Sequence, residues 1–220
     1  MCVICISPKG VRQPNTDELI AMFKANPDGA GYMYANPEGL VEIHKGFMEL
    51  KDFLREIEGR KFTRADVVVY HFRISTQAGV NPYMTHPFPL TADLENTKLL
   101  DCTCPVGIVH NGIIPCTTCN DKEYSDTALF ITQYLSGMIE NATDLLDNGI
   151  QHRIENLLQS KMAIMDGKEN YITIGKFFTD KTGLIFSNMY WERFTRQYVN
   201  LFDKSTWVTP IYNRICKIQC

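Results

Sequence analysis

Apolar positions change their period several times along the chain, and each change marks an expected element. Residues 2–7 alternate loosely and are β-prone, which predicts a strand ended by Pro8-Lys9-Gly10. Asn15 stands three residues before Glu18, a capping arrangement, and Leu19, Ile20 and Phe23 share one helical face. That helix should stop before Pro27. Residues 29–35 read as a strand, Asn36 to Gly39 as a turn, and Leu40 to Lys45 as the returning strand. A helix is expected from Met48 to Ile57, with Gly59 just beyond its end. The run from Val67 to Arg73 is the strongest strand pattern, apolar enough to be buried on both faces. A long polar loop follows, through Gln77, Gly79, Asn81 and Pro82 to His86-Pro87-Phe88, before a short strand from Val106 to His110.

Ser125 can cap a helix in which Leu129, Phe130, Tyr134 and Met138 recur at helical spacing, and a second helix is expected from Thr143 to Leu158. The pattern then turns β again: Met162 to Met165, a turn at Asp166-Gly167-Lys168, Tyr171 to Phe178, and Leu184 to Ser187. The last thirty residues carry only a weak pattern, and no internal repeat or low-complexity segment is present. Strands at both ends with two long helices between them predict an α+β fold of stacked layers.

Composition narrows the function classes. A hydrophobic share of 45% with 21% charged residues is that of an ordinary soluble globular protein. The net charge of −3 favours neither a nucleic-acid nor a membrane partner. There is no apolar run of about 18 residues and no charged segment leading into an apolar one, so a cytoplasmic location is expected. Eight cysteines in that setting read as thiols, ligands or a nucleophile rather than a disulfide framework.

The chemistry begins at Cys2. If Met1 is removed, this residue carries a thiol and a free α-amine together, a nucleophile with its own base; otherwise it is one more cysteine in a buried strand. Three further stretches put polar residues at strand ends or a helix start: His71 to Thr76, His110-Asn111-Gly112, and Ser125-Asp126-Thr127. Arg73 suits either an internal ion pair or bidentate capture of a carboxylate. Asn111-Gly112 is either a turn or a pair of oxyanion donors. Asp126 is either a helix cap or the partner of a substrate ammonium. Cys102-Thr103-Cys104 and Cys116-Thr117-Thr118-Cys119 look like halves of a zinc site. The segment between them would span about 40 Å if extended, too far for one ion, so free thiols are expected and no metal.

Taken in order, Cys2, the HFRIST stretch with Gln77 and Gly79 behind it, THPF at 85–88, VHNGII at 109–114 and SDT at 125–127 resemble class II glutamine amidotransferase domains. Those domains belong to the N-terminal nucleophile hydrolases. GAGYMY at 29–34 is similar to the family's early glycine-rich strand, and IMDG, IG and SN at 164–188 to its last hairpins. The resemblance covers about residues 2–190, leaving 191–220 as a C-terminal extension packed on the domain or binding a partner. It implies a four-layer αββα sandwich and no cofactor. Cys2 would be the nucleophile, with its α-amine as base. Asn111 and the Gly112 N–H would stabilise the oxyanion, and Arg73, with Thr76 and His86 near it, would hold the substrate α-carboxylate. Asp126 would hold its α-ammonium.

Two departures stand out: Thr85 where the family often has Asn, expected to loosen the loop beneath the substrate, and Ala128 where it has an acidic residue. The implied function is glutamine side-chain hydrolysis through a Cys2 thioester, releasing glutamate and ammonia for an acceptor on a separate enzyme. The alternatives are hydrolysis of another γ-glutamyl or linear amide, and an inactive binding module of the same fold.

Overall fold

The computed structural model describes residues 1–75, 79–115 and 123–198. The chain opens with β1 (Val3–Ser7), buried along its whole length. Asn15 caps α1 (Thr16–Ala25) as its spacing predicts: the Glu18 N–H donates to the Asn15 side chain, and the Asn15 N–H donates to the Glu18 carboxylate. β2 (Ala30–Ala35) and β3 (Val41–Phe47) form a hairpin about the expected turn. α2 (Leu50–Arg60) runs through Gly59, which was expected beyond its end, and stops at Lys61 in the left-handed region with φ 55°. One glycine costs a helix about 1 kcal/mol, too little to end one whose apolar side is buried.

β4 (Val68–Phe72) is buried at every residue, as its apolar run predicts. The polar stretch after it holds more structure than its composition suggests. Pro82–Met84 is a 3-10 turn, followed by β5 (Phe88–Pro89), a second 3-10 turn at Glu95–Lys98, and β6 (Asp101–Cys104). β7 (Val106–Asn111) comes next. Ser125 caps α3 (Asp126–Phe130), but the helix expected from there is interrupted by a π-helical turn at Ile131–Leu135 before α4 (Ser136–Met138).

The helix expected from Thr143 is also divided. Ala142–Leu146 is a 3-10 segment capped by Asn141, and Asp147 caps α5 (Asn148–Leu158) afresh by accepting from the Ile150 N–H. After β8 (Lys161–Asp166), the single strand expected from Tyr171 to Phe178 proves to be β9 (Tyr171–Ile174) and β10 (Phe178–Thr179), in different sheets. Gly175, at φ 81°, redirects the chain between them. β11 (Ile185–Phe186) and α6 (Glu192–Tyr198) end the described chain.

The class is α+β, with two antiparallel sheets and helices. The larger sheet runs β10-β11-β1-β4-β2-β3-β6 and the smaller β5-β7-β8-β9. Three buried clusters hold these together. Ile4, Ile6, Met33, Val41 and Val69 of the large sheet share one with Val109, Ala163 and Met165 of the small sheet. Val3, Tyr70 and Phe72 meet Leu19 and Met22 of α1, Phe53 of α2 and Trp191 in the second. Ile108, Met162 and Ile164 meet Phe130, Ile154 and Leu158 in the third. No helix among the described residues is long and apolar enough to cross a membrane.

One close approach fixes the floor of the later site. At Gly31 a Cβ would fall onto the carbonyl oxygen of His86 and within 2.7 Å of the Lys45 Cβ. Gly31→Ala should therefore push β2 away from the His86 loop. The expected loss is about 3 kcal/mol, read in thermal unfolding as a Tm lower by about 6–12 °C.

Candidate active site

Alternation carries the polar strand ends to one place. Side chains two residues apart in a strand share a face. Continuing beyond Ile6 and Ile4, Cys2 is directed between the sheets; so are His71 and Arg73 beyond Val67 and Val69. On β7 the phase splits the motif: Asn111 follows Val109 toward the large sheet, and His110 follows Ile108 away from it. Cys2, Arg73, His86, Gly112 and Asp126 line one cavity of about 30 Å³. Ile74, His110, Ser125 and Thr127 complete its wall. Five separate stretches of the sequence thus meet at one point.

The Cys2 sulfur is cradled by one residue of backbone: the thiol donates to the Ile74 carbonyl at 3.5 Å and accepts from the Ile74 N–H at 3.4 Å. The Asn188 amide donates to the Cys2 carbonyl at 2.7 Å. Burial pushes the Cys2 thiol up, opposed by the Ile74 backbone, the chain's amino terminus and Arg73. With Met1 still attached the thiol is therefore held in its neutral form, a weak nucleophile. Arg73 is 4% exposed and its Nη1 donates to the Gly79 carbonyl at 2.9 Å. Burial lowers its pKa, and Cys2, Asp28 and Asp126 oppose that. Both Asp126 oxygens are engaged: Oδ2 accepts from the Ile114 N–H at 2.8 Å and Oδ1 from the Thr127 N–H at 2.8 Å.

Asn111 is the expected residue that does not line the cavity. Its amide donates to the Ser187 hydroxyl oxygen at 2.8 Å, and that oxygen also accepts from the Ile4 N–H at 2.9 Å. Asn111 Oδ1 is buried without a hydrogen-bond partner among the described residues. Thr76 lies outside the described residues, as do Gln77, Cys116 and Cys119. Cys102 and Cys104 sit on β6, where burial raises both thiols, Cys104 to about 12. Among the described residues no group of three or more His, Cys, Asp or Glu is placed to hold a metal.

Three buried imidazoles form the back of the site. The His71 and His86 rings stack at 4.2 Å between centroids, and His110 lies 6.4 Å from His86. Burial lowers all three: His71 to about 3, against its hydrogen bond to the His110 carbonyl, and His110 to about 4, against the charge of Asp126. His86 is pushed well down by burial, then by His71, His110, Arg73 and Lys45, and among the described residues neither of its ring nitrogens has a hydrogen-bond partner. The loop that carries it is firmly tied. Thr85, expected to loosen this loop, is fully buried, accepts from the Gly46 N–H at 2.8 Å and donates to the Pro82 carbonyl at 2.7 Å. Lys45, 4% exposed, donates to the Thr97 and Tyr83 carbonyls and lies 3.8 Å from the centre of the Phe88 ring. Burial pushes its pKa well below the ordinary lysine value, with Cys102 opposing this and Arg73 adding to it. Two carbonyls and an aromatic face are instead a cage for an ammonium.

No protein-family model matches the chain, and no curated protein sequence matches it. The site therefore rests on its own geometry: Cys2, Arg73, Asp126 and Gly112 around a small space. The sequence pattern singled out those four. It missed the roles of Ser160 and Ser187, which follow or precede strands and carry no local signal, and of Lys45, whose only signal is a polar residue where strand alternation would bury it.

The imidazoles set an acid limit. A histidine whose folded pKa is depressed costs stability once the unfolded ring protonates, so stability falls as pH drops below about 6.5 and continues to fall toward the folded values. His86→Phe removes one such group without breaking a hydrogen bond. The variant should gain on the wild type by roughly 1–2 kcal/mol between pH 8 and pH 5. Denaturant melts at the two pH values measure this, and a pH-independent difference would contradict it.

Proposed function

We propose that this chain is a class II glutamine amidotransferase-like enzyme that hydrolyses the glutamine side-chain amide through a Cys2 thioester, on a four-layer αββα sandwich of N-terminal nucleophile type. The observation that carries this reading is the meeting of Cys2, Arg73, Gly112 and Asp126 around one cavity. The three buried clusters, one shared by the sheets and one between each sheet and helices, support the layered architecture.

In this reading the Cys2 thiol attacks the carboxamide carbon, and the Gly112 N–H meets the oxygen as charge develops on it. The second Asn111 N–H would join it only if the side chain turned from Ser187 toward the cavity. Arg73 and Asp126 bind the carboxylate and ammonium of the amino-acid head. The base is the Cys2 α-amine, near neutrality in its unperturbed pKa once Met1 is gone. His86 and His110 line the same space but are poor bases, because burial holds both far below the usual imidazole range. The cavity has room for roughly one or two waters, so substrate entry needs its mouth to open.

The deciding experiment pairs intact mass with ammonia release from glutamine, on protein with Met1 removed and on protein carrying an extra residue ahead of Cys2. Turnover is expected only in the first, and Cys2→Ala should abolish it. Equal rates in the two samples would rule out the α-amine as base. Ammonia from another γ-glutamyl amide but not from glutamine would move the reading to an amidohydrolase; none from any amide would leave a binding module.

Arg73→Lys keeps the charge and loses the planar fork. Steady-state kinetics should show KM for glutamine raised by roughly tenfold or more with a smaller change in kcat, the mark of lost ground-state binding. Unaltered kinetics would reduce Arg73 to a structural cation.

A further inference from the structure

The Asp126 carboxylate is attached to a chain of hydrogen bonds that the chemistry above does not use. Thr127 Oγ1 lies 2.9 Å from His110 Nδ1 and 3.3 Å from Asp126 Oδ1, so its single proton has two acceptors within reach. On the far side of the ring, His110 Nε2 lies 2.7 Å from Ser160 Oγ. The Ser160 hydroxyl also lies 3.0 Å from the carbonyl of Leu158, the last residue of α5. The last four carbonyls of a helix lack intrahelical partners and sit at the negative end of its dipole, which makes Leu158 a strong acceptor.

Two proton orders fit these distances, and one of them supplies the Leu158 carbonyl with a donor. With the Ser160 hydroxyl given to Leu158, its oxygen must accept from His110, so the ring proton sits on Nε2. Nδ1 is then bare and takes the Thr127 hydroxyl at the shorter of its two distances. All three donors point toward the end of α5, and among the described residues Asp126 keeps two donors, the N–H groups of Ile114 and Thr127. Its remaining lone pairs stay open to the cavity. Were the ring proton on Nδ1, the Thr127 hydroxyl would turn to Oδ1 and compete there with any incoming cation.

We propose that Ser160 and His110 are positioning residues: they turn the Thr127 hydroxyl away from Asp126, keeping that carboxylate open to the primary ammonium of an amino-acid substrate. This rests on the reading of Asp126 as the head-group binder. Ser160→Ala is the useful variant, because it removes the hydroxyl and leaves the Cβ that stands against Gly112.

The test uses Cys2→Ala protein with Met1 removed, titrated calorimetrically with glutamine and with glutaramate, which lacks the α-amine. Ser160→Ala should weaken glutamine by about tenfold, one hydrogen bond's worth, and leave glutaramate unchanged. In a Thr127→Val background, which has no hydroxyl to turn, the same substitution should cost glutamine far less. Nitrogen-15 spectra of the ring should give the Nε2–H tautomer for His110 in the parent and loss of that state in Ser160→Ala. Equal weakening of both ligands, or an equal loss in both Thr127 backgrounds, would make Ser160 merely structural and overturn the proposal. So would an Nδ1–H tautomer in the parent. If neither ligand binds the parent, the head-group reading of the site fails and the purpose proposed here falls with it. The spectra, which need no ligand, then decide whether the proton order itself stands.

Discussion

The pairing of β1 with β4 decides where everything else at the site can be. Val3 stands opposite Phe72 and Ser7 opposite Val68, in unbroken register. A slip of one residue would turn every β1 side chain to the other face and send the Cys2 sulfur away from the small sheet. Apolar burial makes such a slip costly, since Ile4 and Ile6 on one face and Val3 and Cys5 on the other each enter a filled cluster. The thiol is thus aimed by packing several residues away from it. The cradle at Ile74 then holds what the register has delivered.

The second constraint is electrostatic. The ends of the two sheets enclose many polar groups with little water, and the chain keeps most of them uncharged. Three imidazoles are neutral by burial, and the buried Lys45 is enclosed by carbonyls and a ring. Arg73 and Asp126 are left to shape the field of the cavity, in surroundings where charge is weakly screened. A zwitterionic head group would meet one complement at each end.

Sequence pattern carried much of this. The Asn15 cap, the buried β4 run and the strand starting at residue 161 follow from local rules, because those elements bury one regular pattern apiece. Where the reading fell short, local propensity was overruled or silent. Asp147 restarts a helix inside a continuous periodic stretch, and Gly175 sends one apparent strand into two sheets. β5 and β6 were invisible because each is short and lies in a polar stretch, its strand character supplied by its neighbour. At the site, residue types pointed to Cys2, Arg73, Gly112 and Asp126. The turning of Asn111 toward Ser187 was not legible, since it depends on the Ile4 N–H arriving at the same hydroxyl from another strand.

The hydrogen bond from Asn188 to the Cys2 carbonyl joins residues 186 apart. During synthesis at roughly 5–20 residues per second, that partner emerges on the order of ten to forty seconds after Cys2 does. Over that interval the first residues have neither β11 beside them nor Asn188 above them. The Cys2 thiol therefore stands without those walls while residues up to 188 are made. The closing of β1 at its first residues waits on a segment synthesised long after it.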